Sequence, residues 1–350
     1  MKQAFFVNGG AGRVLCAIPA LEHYLKTVDS DVVIVAEAWL ELFLSSDILR
    51  NNVYSIMQKD LFRDKLKDKE IITPEPYRLN AYFNQKANLI QAFDMLINNL
   101  SEVPETKNIN LSIGKADQAL GYNLINNVRE QFKKEKVIVF QPFGSGARQE
   151  GNFIIDESGR SFELKDIYRL VDELSKNYGI VMMSTFNIPS VRPMPAIVPD
   201  KFNLLQWMGV INAADYFLGC DSVGQHFAHA LKKPATVVIG STFPQNISYP
   251  NNKDFNIIDN GKDQRTYSPL RITTDFTVDR NNEDLMILED AEFNKIVDGI
   301  VKKLGKSTKK FNDSTSTPLL SNQPTCGIPQ VEMQKPALDT TIKNIFEKTN

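Results

Sequence analysis

Short unbroken apolar runs alternate along this chain with longer stretches in which apolar side chains return every three or four positions. Phe5-Phe6-Val7, Val32-Val33-Ile34-Val35, Val137-Ile138-Val139-Phe140, residues 217–220 and Ala235-Thr236-Val237-Val238-Ile239 are of the first kind. Apolar runs of that length, with no polar alternation, predict strands buried on both faces. Residues 14–25, 89–100, 204–213 and 290–304 are of the second kind and predict helices. Strands separated by helices predict parallel sheets flanked by helices, an α/β fold. The chain has 350 residues, enough for two domains, and the polar stretch 114–135 is the expected boundary. The division that follows is a first domain over 1–125, a second over 126–305 and a tail over 306–350. From 306 to 336 the composition turns to Ser, Thr, Asn, Lys and Pro, which predicts a flexible segment, while 339–348 could close it with a short helix.

Polar residues gather where the strands end. After the run 217–220 comes Asp221-Ser222-Val223-Gly224-Gln225-His226, followed by an Ala-rich helical turn, Pro234 and the next apolar run. Free N–H groups and the positive end of a helix there would meet an anion such as a nucleotide diphosphate, with Gly224 letting it approach. Ser222 and His226 are one helical turn apart and share a face. A plain helix cap followed by a structural histidine is the competing reading. Near the start, Asn8-Gly9-Gly10-Ala11-Gly12 is a turn that lets backbone approach a ligand. After the run 137–140, Gln141-Pro142-Phe143-Gly144-Ser145-Gly146-Ala147-Arg148 is a second glycine-containing loop.

The stretch 203–244, with Asp221, Ser222, Gly224 and His226, resembles the second-domain signature of the heptosyltransferase-like glycosyltransferases, family 9. Gly12 with Pro19-Ala20-Leu21 is similar to that family's first-domain Gly-Asp…Pro-x-Leu segment. The resemblance implies two Rossmann-like domains facing a cleft, the GT-B fold, and transfer of a sugar from a nucleotide-sugar donor to an acceptor hydroxyl, inverting and metal-independent, with no cofactor. It implies donor binding by Gly12, Gly144, Ser145, Arg148, Asp221, Ser222, Gly224 and His226. The sequence departs from the family at Val223, which displaces the glycine by one residue, and at Arg13, which stands where the family has its proposed catalytic aspartate. A guanidinium cannot take a proton. Arg13 is then expected to serve the donor phosphates, and Glu75, in the loop Thr73-Pro74-Glu75-Pro76-Tyr77-Arg78, is the expected base, with Glu37 in reserve. The family's lysine after the second loop is missing behind the insertion 150–159, and Arg160 or Lys165 is the expected substitute.

The acceptor implied is a surface glycan or lipopolysaccharide-type sugar. The departures leave two alternatives: a phage-type enzyme acting on a modified DNA base, and a nucleotide-sugar-binding protein without catalysis. A net charge of −2 gives no broad basic field for nucleic acid. Cys16, Cys220 and Cys326 are too scattered for a disulfide framework or a metal spacing, which favours a reducing compartment. Asp29-Ser30-Asp31 precedes a strand and reads as a surface turn, and His229 lacks nearby ligands for a metal. With neither a secretory signal nor a run long enough to span a bilayer, the expectation is a cytoplasmic protein, peripheral to any membrane it serves.

Overall fold

Two separate parallel sheets carry the chain. The computed structural model describes residues 2–186, 188–189, 193–265 and 284–306. In the first sheet β1 (Gln3–Val7), β2 (Val33–Ala36), β3 (Val53–Ser55) and β4 (Glu70–Ile72) lie in the order β3-β2-β1-β4. Every pairing in it is parallel, with Phe5 opposite both Ile34 and Ile72. Helix α1 (Ala11–Thr27) crosses from β1 to β2, and the short α2 (Leu40–Leu44) follows β2. After β4 the chain passes through a 3₁₀ turn, α3 (Asn80–Phe83) and α4 (Leu89–Ile97), whose first turn is closed by a reciprocal Asn88–Gln91 capping box.

Helix α5 (Lys115–Phe132) leads into the second half. There β5 (Val137–Gln141) is followed by a small antiparallel hairpin, β6 (Arg148–Glu150) and β7 (Phe153–Ile155), then α6 (Leu164–Leu174) and β8 (Gly179–Met182). Next come α7 (Leu204–Ala213), β9 (Tyr216–Cys220), α8 (Val223–Ala230), β10 (Ala235–Ile239), α9 (Pro244–Ile247), β11 (Phe255–Asp259) and α10 (Asp290–Leu304). The five-stranded sheet has the order β11-β10-β9-β5-β8 and is again parallel throughout.

Alternation along the buried strands sorts side chains to two faces. Val137 and Val139 enter one core cluster, Ile138 and Phe140 the other, and Phe217 parts from Leu218 in the same way. The larger cluster is continuous across both halves: Phe5, Leu15, Phe43 and Phe93 from the first join Trp207, Phe217, Phe227 and Val237 from the second. Residues Met1–Lys309 accordingly group as one compact unit.

The polar stretch 114–135, where the boundary is expected, is mostly helix α5, and the break at 125/126 falls inside it. Only Gly121, Ile125 and Val128 of α5 are buried, so its apolar stripe is thin. Gly121 and Gly209 let α5 and α7 touch backbone to backbone: a Cβ at Gly121 would stand 2.2 Å from the Gly209 carbonyl oxygen. The expected tail, its short helix and Cys326 lie outside the described residues.

Candidate functional site

A cleft of about 530 Å³ collects the loops that follow the strands of both sheets. From the first sheet it receives Gly10–Arg13 after β1 and Trp39 and Glu41 after β2; from the second it receives Gly144 and Ser145 after β5, Asp221 to Val223 after β9, and Ser241 and Thr242 after β10. The carboxyl ends of parallel strands are where open α/β sheets bind ligands, because helix N-termini and loop N–H groups converge there.

Ser222 caps α8 in an extended conformation, and its hydroxyl makes no bond to its own helix. Gln141, the last residue of β5, spans the gap instead. Its Nε2 donates to Ser222 Oγ at 3.0 Å and its Oε1 accepts from the Gly224 N–H at 2.9 Å. Gly224 thus has a task other than admitting a phosphate: a Cβ there would meet Gln141 Oε1 at 2.3 Å and the Phe217 ring at 2.5 Å. Its N–H is already used. Asp221 is buried and accepts from Thr242 Oγ1 and Gln225 Nε2, both at 2.9 Å, so it serves as an anchor between β9 and β10.

His226 is buried on α8 against the start of α1, where a side chain at Gly12 would come within 3.0 Å of its Nε2. Its Nδ1 lies 2.7 Å from the Tyr249 hydroxyl, which burial and the nearby Cys16 keep protonated far above the ordinary phenol range. If the phenol donates to Nδ1, the imidazole proton sits on Nε2; His226 lines the cleft. His229 stacks on the other side of Tyr249, with centroids 3.6 Å apart.

Both imidazoles are neutral in the folded chain. Burial pulls His226 down to about 3, with repulsion from His229 adding to it, and burial pulls His229 down to about 4. The unfolded chain takes up these protons near 6.5, so the stability conferred is fully present above that pH and is lost as pH falls toward the folded values. The limiting slope is about 1.4 kcal/mol per pH unit for each ring. Urea midpoints should fall between pH 7 and pH 5, and less steeply in His229→Phe, which keeps the stack on Tyr249; a flat wild-type profile would mean that the rings are hydrated.

Arg160 supplies the charge at the second-sheet wall. Ser158 Oγ accepts from its Nε at 3.0 Å and Ser145 Oγ from its Nη2 at 3.2 Å, and no carboxylate pairs with it among the described residues. The β6–β7 hairpin, which fills the insertion, sets this arginine at the cleft, while Lys165 is exposed on α6 outside it. Arg148 corrects the expectation for the same loop. It sits exposed on β6, bound to Glu150 and Glu157 at 2.8 Å each, and does not line the cleft.

Arg13 and Glu75, expected to do the chemistry, hold each other. Arg13 Nη1 is 3.2 Å from Glu75 Oε1, its Nη2 donates to the Pro74 carbonyl at 2.9 Å, and its guanidinium lies over Tyr77 and Phe93. Arg13 lines the cleft, but Glu75 does not. Arg13 therefore straps down the loop at residues 73–78.

No protein-family profile and no curated protein matches this sequence. Solved structures do. A glycosyl transferase family 9 protein from Veillonella parvula aligns with TM-score 0.55 at 10% identity, covering 86% of this chain and 97% of its own. The dodecameric iron-containing glycosyltransferase TibC of enterotoxigenic E. coli aligns with TM-score 0.56 at 13% identity, over 87% and 77%. TibC in complex with ADP-D-beta-D-heptose gives 0.54 at 10%, over 86% and 78%. The chain has the GT-B fold of these enzymes.

In this GT-B frame the cleft runs between the two Rossmann-like halves, and part of its lining is apolar: Phe143, Met183, Phe186, Phe202 and Trp207. Two wall residues escaped the sequence reading. Trp39 takes the left-handed conformation, φ 58° and ψ 41°, without the Gly or Asn that would have signalled it. Strain of that kind costs on the order of 1–3 kcal/mol and concentrates at functional sites. Glu41, two residues on, is half-buried at the cleft and has no hydrogen-bond or ion-pair partner among the described residues. Glu37, the reserve base, is exposed and is not part of the lining. Among the described residues no three His, Cys, Asp or Glu converge as a metal site, and no helix is long and apolar enough to cross a membrane.

Proposed function

We propose that this protein is a glycosyltransferase that moves a sugar from a nucleotide-sugar donor to an acceptor hydroxyl. The observation that carries this is that Arg160, in ion-pair contact with no carboxylate among the described residues, lines the same cleft as the N-terminus of α8 and the aromatic side chains of Phe143, Phe202 and Trp207. A nucleoside diphosphate has that same division of chemistry: two charged phosphates beside a flat base. Arg160 and the positive end of the α8 dipole meet the charge that grows on the leaving diphosphate. Phe202 and Trp207, in tilted contact at 5.4 Å, offer the base an apolar surface. His226 and Ser222 line the space between, which the sugar would occupy. Gly12, Gly144 and Ser145 shape the wall around it. A single displacement with the acceptor entering from the first-sheet side inverts the anomeric centre. The acceptor class follows the family resemblance, a hydroxyl of a surface glycan.

Melting the purified chain with ADP-heptose, with other nucleotide sugars and with free nucleoside diphosphates tests the reading. A donor at 100 times its Kd adds about 2.7 kcal/mol to the folded state, which raises the melting temperature measurably. No shift with any member of the set would overturn the assignment of the cleft.

A further inference from the structure

We infer that the loop after β2 is an acceptor subsite in which Trp39 stacks on the acceptor sugar and Glu41 takes the proton from its attacking hydroxyl. The inference rests on the glycosyltransferase reading and assigns the half of the reaction for which the Arg13–Glu75 pair leaves no base.

Three observations converge. The first is chemical. Among the acidic side chains that line the cleft, Asp221 is bound to Thr242, in the loop after β10, and to Gln225 on α8, which leaves Glu41, on the first-sheet wall, as the unpaired carboxylate, while Arg160 is on the second-sheet wall. A base that must sit across the reacting carbon from the departing diphosphate belongs on the first-sheet wall. The second is conformational. Among the described non-glycine residues with positive φ, Trp39 is the one aromatic, and the rest are polar Asp, Gln, Asn or Lys. The side chain held in that region lines the cleft and is 39% exposed. The third is rigidity. Trp39 Nε1 donates to the Gly9 carbonyl at 3.1 Å, which ties the loop after β2 to the glycine turn after β1. An exposed ring fixed in this way presents a flat apolar face to the C–H side of a pyranose.

The step balances with the groups named. The acceptor O–H bond breaks and its proton goes to the Glu41 carboxylate; the acceptor oxygen bonds to the anomeric carbon; the bond from that carbon to the diphosphate breaks, and the diphosphate leaves with the electron pair. Glu41 then returns the proton to water.

The test separates this assignment from the reading it rests on. ADP affinity is measured by titration, and turnover by nucleoside diphosphate release from ADP-heptose and other nucleotide sugars in the presence of lipopolysaccharide core oligosaccharides and simple glycosides. In Glu41→Gln, ADP affinity should match wild type while release falls roughly 10²–10⁴-fold and the acidic limb of the pH–rate profile disappears. Glu41→Asp should recover part of the rate. Trp39→Gly, which suits the left-handed conformation, should fold as well as wild type yet raise the acceptor KM at least tenfold. A Glu41→Gln enzyme with wild-type rate and pH profile overturns the assignment and leaves the donor site standing. A wild-type chain that binds neither ADP nor any nucleotide sugar overturns both.

Discussion

Replacing Arg160 with alanine should weaken nucleoside diphosphate binding about 10- to 100-fold, from charge-assisted hydrogen bonds worth roughly 1.5–3 kcal/mol. The side chain is held by two serine hydroxyls, Ser145 and Ser158, the second of which donates in turn to Asp156, so the guanidinium is oriented with no carboxylate in direct contact. Its charge is therefore available to a ligand in a way that Arg13, paired with Glu75, is not. Arg160→Lys should recover only part of the loss, because an ammonium lacks the planar fork that keeps both serines and a phosphate in contact. Isothermal titration with ADP reads both variants. An Arg160→Ala chain with unchanged affinity would remove the phosphates from this wall and place them elsewhere in the cleft.

Gly209→Ala should be among the most damaging small substitutions in the molecule. The added Cβ would stand 2.1 Å from the Asp117 carbonyl oxygen, a backbone atom that cannot swing aside. Overpacking of this kind costs about 1–3 kcal/mol and sometimes more. The sign makes the test sharp, since in an unconstrained helix alanine is better than glycine by about 1 kcal/mol. Gly121→Ala, with its Cβ 2.2 Å from the Gly209 oxygen, should act in the same direction. Thermal or urea unfolding settles it: either variant at or above wild-type stability would mean that α5 and α7 do not cross in contact.

How far the sequence could be read depended on how directly each feature is encoded. The strands β1, β2, β5, β9 and β10 announce themselves because a parallel sheet covered on both faces demands unbroken apolar runs. Helix α5 did not, because glycine carries part of its contact and its remaining surface is polar, so the 3.6-residue stripe has few apolar members. Ser222 and His226 were legible as a pair one turn apart, and both reach the cleft. Gly224 was expected to let a phosphate approach, and the group that approaches it is instead the Gln141 amide, which only the tertiary structure brings there. Arg148 and Arg160 flank the same insertion, and only the hairpin β6–β7 decides which of them faces inward. Glu75 was singled out as a carboxylate in a first-domain loop, and its partner proves to be the very arginine that made a substitute base necessary. Trp39 and Glu41 carried no signal, because a left-handed tryptophan looks like any other aromatic residue in a linear chain.

The continuous core has an evolutionary corollary. Proteins built from two similar halves often diversify by exchanging one half, since each part keeps its own interior. Here Phe5, Leu15 and Phe93 belong to the same interior as Trp207, Phe227 and Val237. A half grafted from another protein would bring a mismatched surface to that shared interior, so the two halves are tied to each other, and a change of specificity disturbs the core least when it is confined to single loops at the cleft.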